Sequence, residues 1–533
     1  MLENCPLPPD TTRRSTTHPQ PMITSRILYA IGVLVCAGTH MPALAAPLSA
    51  RETQALRRPN VIFLLTDDQG YGDISRHGHP FLKTPNFDRL HDESVRFDNF
   101  YVSPSCSPTR AALLTGMHEF RNGVTHTRHP REQLYDGATT LPQLLKTSGY
   151  KTALIGKWHL GEEYTPEHGG FDSYFQQHGE HFSGILTRNG KKSRVTHGRF
   201  REDCYFDEAM AFIEECGDQP FFCEIATISP HAPLAAPEEF VAPFRGKVSE
   251  EEALYLGMVQ NLDFNLGRLL EFLDQRNLNQ DTILVAMNDN GSTYGLDMYN
   301  AGMRGCKTTP WQGGCRAFSF WRWAGHWNPH SVDNLAAHLD FLPTVCELTN
   351  TQVPEALRKQ LEGFSLKPLL EAKQPLEWHA ERMLFVHAGR WPSGMAAGHK
   401  YYKASVFQDH MLLVRNRGCD NPDCNAEVFS ECDHYVERGG KTRIYTKENA
   451  QYHWGVTPTG RWSLFDLKKD PASLMDIADK QPELVKKMAA AYEQWWSDLY
   501  PVMIERGGDV ELAEVAKKRV ESTQKKNAAP MPN

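Results

Sequence analysis

The sequence predicts an α/β protein: a large, mostly parallel sheet sandwiched by helices, followed by a smaller C-terminal subdomain of antiparallel sheet plus helix. Three observations predict it. Through residues 58–375, apolar or β-branched runs of strand length alternate with helix-like stretches, the pattern of a parallel sheet covered on both faces. From Glu381 the character changes to short strand-like runs closed by one amphipathic helix. The 533 residues are 40% hydrophobic, 10% aromatic and 23% charged, an ordinary globular composition that excludes pervasive disorder, collagen and coiled coil and allows a large core.

Taken in order, residues 1–21 are polar and Pro/Thr-rich and read as a disordered extension. Arg26 then precedes an apolar run over 27–38, and Ala43-Leu44-Ala45 follows. A charged flank, a short apolar core and an A-x-A end form a cleaved secretory signal within residues 1–45, with Met22 a compact alternative start. A single anchoring helix is the competing explanation; lipidation of Cys36 fits less well, because Val35 is bulkier than the small residue expected there. The remaining chain has no apolar stretch near the roughly 18 residues of a span, so the expectation is a periplasmic or secreted protein without a stable membrane span. Strands are expected at 60–65, 151–155, 221–228 and 282–287, and helices at 140–147, 207–215, 250–277 and 340–348. These make one α/β domain over 58–375. A C-terminal subdomain over 380–510 takes strands at 383–387, 401–403, 410–415 and 461–466 and a helix at 483–500, and a flexible Lys/Ala/Pro tail occupies 518–533.

Lys plus Arg number 57 against 65 Asp plus Glu, a formal charge of −8, which gives no support for nucleic-acid binding. The chemistry gathers where strands end, which is where open α/β sheets bind ligands. The first strand ends in Thr66-Asp67-Asp68-Gln69-Gly70; adjacent carboxylates repel, so the pair implies either a cation or a turn. The last ends in Asn288-Asp289-Asn290-Gly291. Together they offer oxygen donors and neither His nor Cys, which suits Ca²⁺ or Mg²⁺ and argues against zinc. Between them, Cys106 precedes Pro108 and Arg110 in a stretch closing at Gly116, so that Cys106 starts a helix. There the thiol is either a nucleophile of lowered pKa or a buried structural cysteine. Lys157 and His159 follow a strand directly, with i, i+2 spacing that points both one way if the chain stays extended. His231 follows another strand, between Pro230 and Pro233. Lys307 lies in a Gly-rich loop and by spacing alone is a solvated lysine.

Cys106-Ser107-Pro108-Thr109-Arg110, running into Ala111-Ala112-Leu113-Leu114-Thr115-Gly116, resembles the signature of the type I sulfatases of the alkaline phosphatase superfamily. Asp67-Asp68-Gln69, Gly156-Lys157-Trp158-His159-Leu160-Gly161, Ser229-Pro230-His231-Ala232-Pro233 and Asp289-Asn290-Gly291 are similar to further motifs of that family, in its order. So are the loop containing Met303-Arg304-Gly305-Cys306-Lys307 and Trp311-Gln312-Gly313-Gly314-Cys315-Arg316, and the later Leu464-Phe465-Asp466-Leu467 stretch. Cys306 and Cys315 depart from the pattern, which has small or apolar residues there.

The resemblance implies an alkaline phosphatase-like fold and hydrolysis of sulfate esters. It implies that Cys106 is oxidised to formylglycine by a formylglycine-generating or anaerobic sulfatase-maturating enzyme. Asp67, Asp68, residue 106, Asp289 and Asn290 would hold a divalent cation, Ca²⁺ ahead of Mg²⁺. One hydroxyl of the hydrated aldehyde would attack sulfur, Arg110 and Lys157 would steady it, and His231 with Lys307 would serve the departing oxygen. His159 would act as base when the second hydroxyl expels sulfate. The expected substrate is a sulfated oligo- or polysaccharide. A phosphate or phosphonate ester hydrolase, which would show His and Asp ligands for two zinc ions, and an inactive glycan-binding homologue are the alternatives. His178, His181, Tyr294, Trp311, Trp391 and His434 are candidate sugar contacts, with packing the alternative for each. Of twelve cysteines, Cys5 and Cys36 leave with the signal and Cys106 is converted. One disulfide within Cys419, Cys424 and Cys432 is expected in an oxidising compartment.

Overall fold

The structure, a computed structural model, describes residues 58–195, 198–296, 298–372, 376–415 and 461–510, all within one compact unit. The expected signal and tail, His434 and the cluster of Cys419, Cys424 and Cys432 lie outside the described residues. Among the described residues no helix is long and apolar enough to cross a membrane.

The strands are, in order, β1 (Asn60–Asp67), β2 (Val95–Phe97), β3 (Phe100–Tyr101), β4 (Lys151–Gly156), β5 (Ser173–His178), β6 (Gly184–Arg188), β7 (Lys191–Val195), β8 (Phe221–Pro230), β9 (Thr282–Asn288), β10 (Ser319–Arg322), β11 (His330–Val332), β12 (Ala336–Ala337), β13 (Met383–His387), β14 (Ala404–Gln408), β15 (Met411–Arg415) and β16 (Ser463–Asp466). The long helices are α1 (Pro85–Asp92), α2 (Cys106–Thr115), α3 (Leu141–Thr147), α4 (Arg201–Cys216), α5 (Glu250–Gln275), α6 (Phe341–Leu348) and α7 (Pro482–Glu505).

Ten strands form one sheet in the order β11-β2-β10-β9-β1-β8-β4-β5-β6-β7. The β9-β1-β8-β4-β5 centre is parallel throughout. Its strands read as continuous apolar runs because both faces are covered. Along β1, Val61, Phe63 and Leu65 enter a core with α2, α3 and α6. Ile62 and Leu64 enter the opposite core with α1, α4 and α5. The four strands expected from sequence are the middle of this sheet, and their carboxyl ends share one rim.

The second sheet is antiparallel, β13-β14-β15-β16. One face, with Val406, Leu413 and Leu464, takes Tyr492, Trp495 and Trp496 of α7. The other face, with Leu384, Phe407, Leu412 and Phe465, packs on Tyr101 and Trp311 of the larger part. α7 also carries Trp495 onto Phe120, ring centroids 5.5 Å apart, so the last helix ties the second sheet to the larger part. The strand expected at 401–403 is a turn; Lys403 adopts φ 49°, a left-handed conformation that ends extended pairing, and the strand starts at Ala404. The 207–215 helix starts earlier, at Arg201, because the polar Arg201 and Glu202 are buried partners of loops near the rim.

Candidate active site

Asp67 ends β1 and Asp68 follows with φ 62°, which turns the second carboxylate across the strand end. Both are buried. Lys157 Nζ donates to Asp67 Oδ2 at 2.5 Å. Burial would raise the Asp67 carboxyl, yet Lys157, His231 and Arg110 hold it well below the usual carboxylate range. Asp68 Oδ1 accepts from Lys307 Nζ at 2.5 Å and from Asn290 Nδ2 at 2.8 Å. Against burial, Lys307 and His231 lower its pKa. Asp289 accepts from Arg110 through Nε at 3.1 Å and Nη2 at 2.8 Å on one oxygen, and from the Asp68 N–H at 3.2 Å on the other. Burial, with Asp67 adding to it, still pushes Asp289 up to about 7.

Cys106 is the first residue of α2, behind an N-cap Ser105 whose side chain makes no capping bond. Gly116 closes the helix at φ 65°. The thiol is 1% exposed; Lys307 Nζ stands 3.0 Å from Sγ and Asp68 Oδ1 3.8 Å. A thiolate of lowered pKa is not what forms: burial, then Asp67, push the thiol up to about 12, outweighing Lys157 and Lys307. An unmodified Cys106 is therefore a poor nucleophile at neutral pH.

Lys157 and His159 do not share an extended segment. Gly156 turns the chain at φ 113°, where a Cβ would lie 1.9 Å from the Ala226 carbonyl oxygen, and His159 has φ 59°. The imidazole Nε2 lies 3.3 Å from the Thr127 carbonyl. A carbonyl only accepts, so Nε2 carries the proton, and buried Nδ1 is left with no partner. Burial, then Lys157, hold the His159 pKa well below the imidazole range. His231 is arranged the other way: Nδ1 donates to the Ala232 carbonyl at 2.6 Å, and Nε2 faces Asp68 Oδ2 at 3.7 Å. Its side chain is 33% exposed, and burial lowers its pKa against the pull of Asp68 and Asp67.

Lys307 is far from solvated; it is 2% exposed. Its loop is locked by backbone contact. The Gly291 N–H donates to the Gly314 carbonyl at 2.9 Å and Thr308 N–H to the Pro104 carbonyl at 2.7 Å. A Cβ on Gly291 would meet the Gly313 carbonyl oxygen at 1.8 Å, so only glycine permits this approach.

Asp67 Oδ1 and Asn290 Oδ1 are buried with no hydrogen-bond partner, and ligand atoms of Asp67, Asp68, Cys106 and His231 lie within 4.8 Å of one another. Orphaned buried oxygens cost about 1–3 kcal/mol each, and a hard cation is the kind of ligand that would satisfy them. The donor set fits, with Asp289 contributing only lone pairs that Arg110 and the Asp68 N–H leave over.

Sequence reasoning missed the support behind Asp68. Tyr255 Oη donates to Asp73 Oδ2 at 2.5 Å, contacts Ser292 Oγ at 2.9 Å and lies 3.2 Å from the Asp68 carbonyl. Asp73 in turn takes the Gly70 N–H at 2.7 Å. Tyr255 sits among apolar residues of α5 and carries no motif. Of the candidate sugar contacts, His181 is buried against Pro233 O, Arg201 and Glu202. Trp311 and Trp391 are fully buried, the first packed on the second sheet and the second donating to Asp509; these three are core residues. His178 is exposed and Tyr294 half-buried. Cys106, Cys216, Cys223, Cys315 and Cys346 are free thiols.

Residues 59–351 match the family described as Sulfatase. The chain is 30% identical over 408 residues to N-acetylgalactosamine-6-sulfatase of Rattus norvegicus, covering 69% of this chain and 75% of that protein. It is 26% identical over 480 residues to arylsulfatase J of Mus musculus, covering 84% and 78%. Its fold is similar to that of a protein solved in complex with k-i-k-neocarrahexaose, with a TM-score of 0.69 and 23% identity, covering 87% of this chain and 98% of that one.

Proposed function

We propose a mechanism and a substrate class for this chain, which belongs to the sulfatase family and is a sulfuric ester hydrolase acting on sulfated carbohydrate. The observation that carries the mechanism is the grouping of Asp67, Asp68 and His231 ligand atoms with residue 106, with Asp289 and Asn290 hydrogen-bonded to Asp68 and Asp67 Oδ1 and Asn290 Oδ1 lacking partners. We assign Ca²⁺ to that cluster, because the donors are oxygen; bound there it would supply Lewis-acid polarisation of a sulfate ester. We assign formylglycine to position 106, where the hydrated aldehyde would supply one hydroxyl as nucleophile and a second whose ionisation restores the aldehyde.

The chain's own residues then divide the work. Lys307, 3.0 Å from Sγ of residue 106 and 2.5 Å from Asp68, places a fixed positive charge where sulfate oxygens arrive. Lys157 and Arg110, held by Asp67 and Asp289, complete a preorganised cationic wall that needs no reorganisation during reaction. His231 Nε2 faces the pocket beside Asp68 and is placed to serve the departing alcohol oxygen; Asp68 and Asp67 pull, against burial, toward the imidazolium that would donate the proton. His159 Nδ1, bare because Nε2 is committed to Thr127, takes the proton from the second hydroxyl. Asp289 holds Arg110 and the Asp68 backbone at once and so sets the geometry of both.

The substrate class rests on the relatives: one is named for a sulfated amino sugar and one was solved in complex with k-i-k-neocarrahexaose. The 27–38 apolar run and Ala43-Leu44-Ala45 support export to the periplasm or beyond, with conversion of Cys106 by a maturating enzyme before folding. The test is a parallel assay of sulfate and phosphate esters of one alcohol, with mass spectrometry of the Cys106 peptide. Preferential sulfate release by protein carrying the aldehyde supports the mechanism; equal turnover with an intact thiol overturns it.

A further inference from the structure

A cavity of about 690 Å³ lies against the His231 loop, within the roughly 300–1,000 Å³ usual for small-molecule sites. Pro233 and Leu234 form one wall, Leu254 another, and Tyr294 a third, with Glu250 and Glu251 at the edge. Its position relative to the chemistry is fixed by chain neighbours. Pro233 is two residues from His231, whose Nε2 faces Asp68 Oδ2 at 3.7 Å. Tyr294 follows Thr293, whose hydroxyl reaches the same Asp68 oxygen at 3.5 Å. Two walls of the cavity are thus chain neighbours of the two groups that flank Asp68 Oδ2.

We propose that this cavity holds the sugar ring carrying the scissile sulfate, and that it selects a ring with no second anionic substituent. The inference rests on the assignment of His231 to the leaving oxygen. Tyr294, Pro233 and Leu254 give an aromatic and aliphatic surface of the kind that the C–H face of a pyranose covers. Glu250 and Glu251 accept hydrogen bonds from ring hydroxyls or from an ammonium group. They also repel anions. The first turn of α5 carries Glu250, Glu251 and Glu252, and Arg245 is shared between Glu238 and Glu250. The capping box takes up part of the positive end of the helix: the Glu252 N–H goes to Ser249 Oγ and the Ser249 N–H to the Glu252 carboxylate.

The test compares kcat/KM on a hexose monosulfate and on the same hexose bearing a second sulfate, using full-length aldehyde-bearing enzyme. Wild type should favour the monosulfate. Tyr294→Ala should lower its kcat/KM roughly tenfold, mostly through KM, while Tyr294→Phe, which keeps the ring, should lose much less. The pair Glu250→Gln and Glu251→Gln should raise relative turnover of the disulfate about fivefold. Equal losses in Tyr294→Ala and Tyr294→Phe, or an unchanged mono-to-disulfate ratio in the glutamine variants, overturn the inference while leaving sulfatase activity intact. Absence of sulfate release by wild type from every sugar tried would instead overturn the mechanism on which it rests.

Discussion

At the scale of single residues, the site is a set of charges each held in place by an opposite one. Cys106→Ala removes the reacting position without touching the Asp67–Lys157 or Asp289–Arg110 pairs. It should abolish turnover by at least about a thousandfold while the thermal midpoint stays near wild type. Tyr255→Phe is a subtler change. It strips Asp73 Oδ2 of its hydroxyl donor and disconnects the Asp68 and Ser292 loops. The expected outcome is destabilisation of about 1–3 kcal/mol, together with a Ca²⁺ activation curve displaced to higher concentration. A shift in stability with no shift in that curve would confine Tyr255 to a structural role. Asp67, Asp68, Asp289 and Asn290 are legible as candidates because hard donors end two strands, although a turn explains either cluster alone. Tyr255 and Asp73 were not legible: a tyrosine in an apolar helix stripe looks like core, and its hydroxyl partner lies 182 residues away.

At the scale of elements, the seam between the two sheets is built on buried neutral imidazoles. His118 Nε2 meets the Phe385 carbonyl of β13 at 3.1 Å, His387 meets His399 O at 3.1 Å, and His338 lies 3.1 Å from Ser103 Oγ. Burial first pushes His118 and His338 down to about 4 and His387 to about 3. A depressed folded pKa gives stability that is present above the unfolded value near 6.5 and lost as pH falls toward 4, on the order of 3 kcal/mol per group at most. Asp73 and Glu224, raised to about 7 by burial, have the opposite sign; their contribution is present at low pH and lost as pH rises toward 7. Hydrogen exchange at pH 5 against pH 7 should therefore show loosening of β13 and its neighbours before the parallel centre; uniform protection across both sheets would refute this. The centre of the large sheet was legible because double burial writes itself as apolar runs. β6 and β7 were not, since Lys191, Lys192, Ser193 and Arg194 are all exposed and leave no apolar pattern. Nor was the onset of β14 legible, because the aromatic Tyr401 and Tyr402 that suggest a strand belong to the turn before it.

At the scale of the whole molecule, a formal charge of −8 surrounds a pocket in which Arg110, Lys157 and Lys307 face Asp67, Asp68 and Asp289. With a divalent cation the pocket is positive, so an anionic ester is drawn in against the overall field. Raising ionic strength should lower kcat/KM and leave kcat nearly unchanged. Chelation should abolish activity and lower the thermal midpoint, since removing the cation leaves Asp67 Oδ1 and Asn290 Oδ1 unsatisfied; calcium should restore both more fully than magnesium. If chelated protein kept its activity, the cation assignment would fail. The burial of Cys106 also has a consequence in time. Its pocket closes only when Lys307 arrives, 201 residues later in the chain. At roughly 5–20 residues per second of synthesis, the thiol stays uncovered for about 10–40 s in every newborn molecule. If residue 106 is converted as proposed, that chemistry has a single opportunity, taken in a race with folding. The active fraction of a preparation should follow how much maturating activity is present during synthesis, and later treatment of folded protein should recover none.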